Sequence, residues 1–199
     1  MRVSINAQHP QPRKIQQVVD ALERGGIIAY PTDSVYGLGC DLLNKKGLDA
    51  LYRMKNMPKT HLLSFVCSDM SHISEYAQVN DTAFRVIRRL IPGPYTFILP
   101  ATKAVPSTLR MNRKTVGVRV PNSPIAHAIV AALGRPIVST SASLDGEVFI
   151  DPDHIEDAFP GLALLIDSDV YSADLTTVID FSGDEPVVVR EGIGPIDFL

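Results

Sequence analysis

Tyr30-Pro31-Thr32-Asp33-Ser34-Val35-Tyr36-Gly37-Leu38-Gly39 is the stretch on which the reading of this chain turns. The residues before it, Ile27-Ile28-Ala29, are an apolar run of strand length. Pro31 has no backbone donor, so ladder pairing stops there. Hydroxyls and one acid follow at Thr32, Asp33, Ser34 and Tyr36. Gly37 and Gly39 are expected to bring the backbone close to a ligand or to take positive φ. A polar, glycine-bearing loop at the carboxyl end of a strand is where open α/β sheets bind ligands. The same features also suit an ordinary exit from a strand.

Working outward, the periodicity predicts a helix over Pro12–Gly25, with Ile15, Val18, Val19 and Leu22 on one face, and a second near Lys45–Met57. Leu62–Cys67 is a strand candidate. Asn80 or Asp81 caps a helix that ends at Pro92-Gly93-Pro94. Tyr95–Leu99 and Thr115–Val120 are predicted strands, with polar, irregular sequence over Lys103–Lys114 between them. Ser123-Pro124 starts a helix closed by Gly134. Pro136–Val138 is a strand that runs into the hydroxyl-rich turn candidate Ser139–Ser143. A short helix opens at Asp151-Pro152. Strands are expected at Leu162–Ile166, Thr176–Phe181 and Pro186–Arg190, the last two as a hairpin. Helices alternate with strands early and strands accumulate later, which argues for an α/β fold with a twisted mixed sheet and flanking helices. No repeat or linker divides the chain, so residues 1–199 are taken as one domain.

Of the 199 residues 45% are hydrophobic and 21% charged, the balance of a globule with a sizeable core. No apolar run approaches membrane-spanning length, and the first residues lack the apolar core of a signal peptide, so a cytoplasmic protein with no membrane partner is expected. Cys40 and Cys67 have no metal-ligand spacing and read as buried thiols. The five histidines are scattered, and no metal site is expected. The net charge of −3 does not announce nucleic-acid binding. Even so, Arg85, Arg88 and Arg89 share one predicted helix, and Arg110, Arg113 and Lys114 crowd one loop. Such clusters suit a solvated face or a local phosphate-binding surface.

Arg119 carries the most chemical information. A guanidinium in a buried strand needs an anionic partner. That partner is either an internal acid, Asp33 or Asp180, or the carboxylate of a ligand, which arginine matches with two parallel hydrogen bonds. Arg190 has the same ambiguity. The run Ser139–Ser143 offers small donors suited to phosphate, or a turn with self-bonded serines. No Walker loop, nucleophile elbow or activated cysteine is present, which leaves chemistry done by positioning and charge stabilisation, such as adenylate formation.

Several stretches together resemble the YrdC/YciO family. They are the opening Tyr30–Gly39, Lys55-Asn56-Met57-Pro58-Lys59 at the Lys-x-Arg motif, and Pro92-Gly93-Pro94-Tyr95-Thr96. Gly117-Val118-Arg119-Val120-Pro121, Ser139–Ser143 at the Ser-x-Asn region, Thr177–Asp180 and Val189–Gly192 complete the ordered set. The resemblance implies a YrdC/RibB-like (DHBP synthase-like) fold and a concave basic cavity. It implies synthesis of threonylcarbamoyl-adenylate from L-threonine, bicarbonate and ATP, serving threonylcarbamoyladenosine formation in tRNA. ATP with Mg would be substrate, and no cofactor would be tightly bound. Carried over, Thr32, Thr96, Arg119, Ser141 and Thr177 would line the threonine side. Lys55, Lys59, Ser139, Ser143 and Arg190 would line the nucleotide side, with Lys55 as the catalytic candidate. The alternative is a protein that binds double-stranded RNA or tRNA through Arg85, Arg88, Arg89, Arg110, Arg113 and Lys114 without synthase activity. Two positions depart from the pattern: Met57 stands where the family has arginine and Ser143 where it has asparagine, as in the YciO branch. A methionine cannot replace a cation facing phosphate, a loss of about 1.5–3 kcal/mol per charged hydrogen bond.

Overall fold

Why the opening stretch folds as it does is visible in the glycines. In the computed structural model, which describes residues 1–110, 114–168 and 172–197, Gly37 and Gly39 lie in a strand that turns back antiparallel on Ile28–Tyr30. Neither takes positive φ. A Cβ on Gly37 would sit 2.8 Å from the Tyr30 ring, and one on Gly39 would sit 2.5 Å from Ile137 Cγ2. The expectation of positive φ at these glycines is therefore corrected. They admit the Tyr30 ring against the sheet, and the loop proper is residues 31–36.

In chain order the elements are β1 (Arg2–Ser4), α1 (Pro12–Glu23), β2 (Ile28–Tyr30), β3 (Gly37–Asp41), α2 (Lys45–Met54), β4 (Ser64–Val66), α3 (Met70–Tyr76), α4 (Asp81–Leu90) and β5 (Tyr95–Pro100). Then come α5 (Ser107–Arg110), β6 (Thr115–Arg119), α6 (Pro124–Leu133), β7 (Ile137–Ser141), β8 (Ser143–Leu144), β9 (Glu147–Val148), α7 (Pro152–Ala158), β10 (Leu164–Asp167), β11 (Thr177–Asp180) and β12 (Val187–Arg190). Among the described residues a ten-stranded mixed sheet runs β1-β10-β2-β3-β7-β4-β6-β5-β11-β12. β8 and β9 form a separate hairpin whose turn residues, Asp145 and Gly146, both have positive φ, as a two-residue hairpin turn demands.

The strand alternation sends side chains into two cores. Ile28 and Tyr30 on β2, Val66 on β4 and Leu164 and Ile166 on β10 face α1 and α6. Ala29, Phe65 and Leu165 from the same strands face the larger core, which also takes in α2, α3, α4 and α7. Burial on both faces explains why these strands are apolar runs rather than alternating sequences. The caps follow the sequence: Asn80 Oδ1 accepts from Ala83 N at 2.8 Å, Ser123 Oγ accepts from Ala126 N at 3.3 Å, and Gly134 closes α6 at φ 69°. The hydroxyl-rich run Ser139–Ser143 is mostly strand rather than turn, because Ser139 and Ser141 pair with Gly39 and Gly37 across β3. Among the described residues no helix is long and apolar enough to cross a membrane.

Candidate functional site

The site is built around Arg119, the last residue of β6. Its Nη2 donates to Asp33 Oδ1 at 2.6 Å, and Nη1 and Nη2 each reach Ser34 Oγ at 3.3 Å. Asp33 also accepts from Asn122 N through Oδ2 at 2.7 Å, so its carboxylate is fixed from two sides. Thr32 braces this arrangement from behind. Its Oγ1 donates to Val35 O at 2.8 Å, accepts from Ser34 N at 3.1 Å and lies 3.0 Å from Ser34 Oγ. Thr32, Asp33 and Ser34 of the opening loop thus converge on one guanidinium. Of the two partners open to Arg119 from sequence, Asp33 is the internal one.

That pairing does not close the site. Arg119 borders a cavity of about 190 Å³, together with the loop 34–37, His61, Ser64, Thr96, residues 139–141, Thr176 and Arg190. Its Nε is buried without a hydrogen-bond partner. Arg190 reaches in from β12, and among the described residues its partners are neutral ones in Thr176: Nε donates to the carbonyl at 3.0 Å and Nη2 to Oγ1 at 2.9 Å. Burial, with the repulsion of Arg119 behind it, pushes the Arg190 pKa down, yet a guanidinium stays protonated at neutral pH. Two guanidinium charges face one carboxylate, Asp33, and among the described residues no Asp or Glu lines the cavity. The surplus positive charge in a hydroxyl-lined hollow suits an anion.

Of the other residues expected on the threonine side, Thr96 and Ser141 line this cavity. Thr32 acts through Ser34. Thr177 is a correction: it is fully buried, donates to Gly194 O at 2.6 Å and accepts from Gly192 N at 2.9 Å. Strand alternation turns it away from the cavity and presents its neighbour Thr176, whose Oγ1 lies 3.1 Å from Thr96 Oγ1.

On the nucleotide side, Ser139 and Arg190 line the cavity. Lys55 does not. It caps α2 and sends its ammonium behind the wall, to Ser141 O at 3.0 Å, to Ser143 Oγ at 3.0 Å and to Ser143 O. Burial pushes its pKa down to about 8. Ser143 is held by this lysine and by Ser141 Oγ at 3.0 Å. Lys55, the catalytic candidate, thus stands behind the wall that carries Ser141 rather than on the cavity lining. Lys59 pairs with Asp49 at 2.6 Å along a separate groove that also takes Met57, so it too stands outside the cavity. The sequence reading missed Ser64 and His61. No pattern in the chain marks them, because only the folding of the segment before β4 brings them to the site.

The basic residues expected at a nucleic-acid surface are distributed differently. Arg85, Arg88 and Arg89 are exposed on α4, beside Phe84 at 41% exposure. Lys114 is exposed, and Arg110 is half-buried with its Nε unpartnered. Arg113 lies outside the described residues.

Residues 20–192 match the Sua5/YciO/YrdC family, described under the heading of telomere recombination. The chain belongs to this family. Among relatives within it, YciO of Escherichia coli (strain K12) is 43% identical over 196 residues, 96% of this chain and 95% of that protein. A threonylcarbamoyl-AMP synthase of Vibrio vulnificus (strain YJ016) is 35% identical over 136 residues, 67% of this chain and 73% of that protein. The crystal structure of E. coli YciO superposes with a TM-score of 0.93 at 42% identity, covering 99% of this chain and 98% of that one. P. abyssi Sua5 complexed with L-threonine superposes at 0.89 with 26% identity, covering 96% of this chain and 57% of that one. The twisted mixed sheet with flanking helices is thus the Sua5/YciO/YrdC fold.

Proposed function

We propose that the cavity binds L-threonine and that the protein performs chemistry of the threonylcarbamoyl-AMP synthase type, with ATP and bicarbonate as co-substrates. The observation that carries this reading is Arg119, held beside a small hydroxyl-lined cavity with surplus positive charge. Support comes from the threonine-bound Sua5 structure of the same fold. A volume of about 190 Å³ lies below the roughly 300–1,000 Å³ typical of drug-sized sites. It suits a free amino acid, with the nucleotide lying across the open side. The amino-acid carboxylate would share Arg119 with Asp33 and take up the unpartnered Nε. Thr96, Thr176 and Ser141 offer hydroxyls to the rest of the ligand. In the reaction, threonine and bicarbonate condense to a carbamate with loss of water, and a carbamate oxygen then attacks the α-phosphorus of ATP and pyrophosphate leaves. Arg190 would supply positive charge to the phosphates, and Mg enters with ATP as part of the substrate.

Calorimetry with L-threonine is the direct test. Binding to the native protein and its loss, by tenfold or more, in Arg119→Ala support the reading. No heat with either L-threonine or ATP overturns it. A product assay for threonylcarbamoyl-AMP, run beside the Met57→Arg/Ser143→Asn double variant, separates a working site from one weakened at the two departures. Gain of product on restoring both residues marks a weakened site, and equal product marks tolerated changes.

A second reading, binding of tRNA or double-stranded RNA, is favoured by the three exposed arginines of α4. Among the described residues none of them has an ion-pair partner.

A further inference from the structure

Arg119 and Arg190 border the same cavity, but they are not equivalent cations. Arg190 comes from β12 and, among the described residues, bonds to neutral oxygens of Thr176. Arg119 comes from β6 and carries its own counter-ion, because its Nη2 donates to Asp33 Oδ1 at 2.6 Å. Asp33 stands on the loop after β2 and is not part of the cavity lining. It therefore acts on a ligand through the guanidinium and through its charge. Its other oxygen accepts from Asn122 N at 2.7 Å, just before the start of α6. Both side chains of the pair are nearly covered, Arg119 at 11% exposure and Asp33 at 12%. Salt screens such a pair much less than one on the surface. The Arg119 end of the cavity is thus a fixed, directional donor with little net charge, and the Arg190 end is an open cation.

The two substrates respond differently to that contrast. A free amino acid at neutral pH is a zwitterion without net charge. Its carboxylate is matched by a planar guanidinium through hydrogen-bond geometry. A phosphate group carries net negative charge and is drawn to whichever cation is least compensated. An Arg119 without its carboxylate partner would draw phosphate to the place that the amino acid must take.

We propose that Asp33 is a specificity-determining residue: it neutralises and orients Arg119, so that this end of the cavity takes an amino-acid carboxylate and leaves phosphate to Arg190. Specificity is a difference between two affinities, and here it comes from weakening the wrong ligand rather than from adding a contact to the right one. This inference rests on the function proposed above and adds to it the division of the cavity between the two substrates.

The experiment is calorimetry at neutral pH with L-threonine and, separately, inorganic phosphate, on the native protein, Asp33→Asn and Asp33→Glu. Thermal melting confirms that each variant is folded. Loss of the carboxylate charge acts in opposite directions on the two ends of a zwitterion and in a single direction on phosphate. The expected result in Asp33→Asn is a phosphate affinity about tenfold higher than native, with threonine affinity held or lowered, and displacement of threonine by phosphate. Asp33→Glu keeps the charge and should keep phosphate weak. Where Asp33→Asn does not fold, Arg190→Gln gives an independent reading, and it should lose phosphate by a larger factor than threonine. A role confined to bracing the loop would weaken both ligands together in Asp33→Asn. That result, or an unchanged phosphate affinity, would overturn the inference and leave threonine binding by the native protein standing. Equal losses of the two ligands in Arg190→Gln would overturn it as well. No heat with L-threonine in the native protein would remove the function proposed above, and the division of the cavity with it.

Discussion

Two adjacent threonines separate binding from folding at the scale of single residues. Thr176 faces the cavity and holds Arg190 through its hydroxyl and carbonyl. Thr177 is sealed in the protein and ties the chain at Gly192 and Gly194. Thr176→Val should weaken binding of an anionic ligand about tenfold, with little change in melting temperature. Thr177→Val should leave a buried donor-acceptor pair unmatched and cost on the order of 2–3 kcal/mol of stability, read by urea denaturation. If the two variants exchange these effects, the facing of β11 is wrong. Lys55 offers a pH test of the same kind. Its pKa is about 8 in the folded chain, against 10.5 for the free side chain. Between those values the unfolded state keeps a proton that the native state has released, so native stability gains as pH rises through that window. Below about 8 both states are protonated and burial of the ammonium opposes folding. Urea midpoints of native protein and Lys55→Met at pH 7, 9 and 10 should show the native protein improving relative to the variant. A relative loss would mean that the oxygens of Ser141 and Ser143 outweigh burial and hold Lys55 as a cation.

Among the elements, the β2–β3 hairpin is where sequence and structure part most clearly. Gly39→Ala should destabilise by about 1–3 kcal/mol through overpacking, because the new methyl would meet Ile137 Cγ2 at 2.5 Å and the Tyr30 ring at 3.0 Å. A neutral result in thermal or urea unfolding would restore the loop interpretation. The helices α1, α2, α4 and α6 and the β11–β12 hairpin were legible because each has a local signature: an apolar period, a capping Asn or Ser, a closing glycine, a turn sequence. β3 was not, since its glycines are selected by a contact with Tyr30 and Ile137 that no local pattern encodes. α3 and the one-turn α5 were missed for want of length, and β1 because its three residues become a strand only beside β10. The site followed the same rule. Arg119 could be singled out because a cation inside an apolar strand is anomalous by itself. Thr176 rather than Thr177, Lys55 behind the wall and His61 upon it depend on which way a strand or loop faces after it has packed.

Over the whole molecule, charge is distributed against its own average. The chain carries −3 overall, yet α4 presents Arg85, Arg88 and Arg89 to solvent with Phe84 beside them. A strip of this kind attracts a polyanion locally, because each phosphate neutralised releases condensed counterions whatever the distant charges do. The flexible arginines would track a backbone rather than read bases, so A-form duplex or folded tRNA should compete better than DNA through the shape of its grooves. The measurement is fluorescence anisotropy with tRNA and with duplex RNA between 50 and 200 mM salt, on native protein and on Arg85→Ala/Arg88→Ala/Arg89→Ala. If all three residues contact phosphates, the plot of log affinity against log salt should flatten by about 2 to 3 in the variant, at roughly 0.7–0.9 per contact. The same variant should bind L-threonine as the native protein does, because none of the three residues lines the Arg119 cavity. An unchanged slope would show that α4 is a solvated face, and that any RNA affinity must come from another surface. Loss of threonine binding in the triple variant would instead show that the helix supports the site.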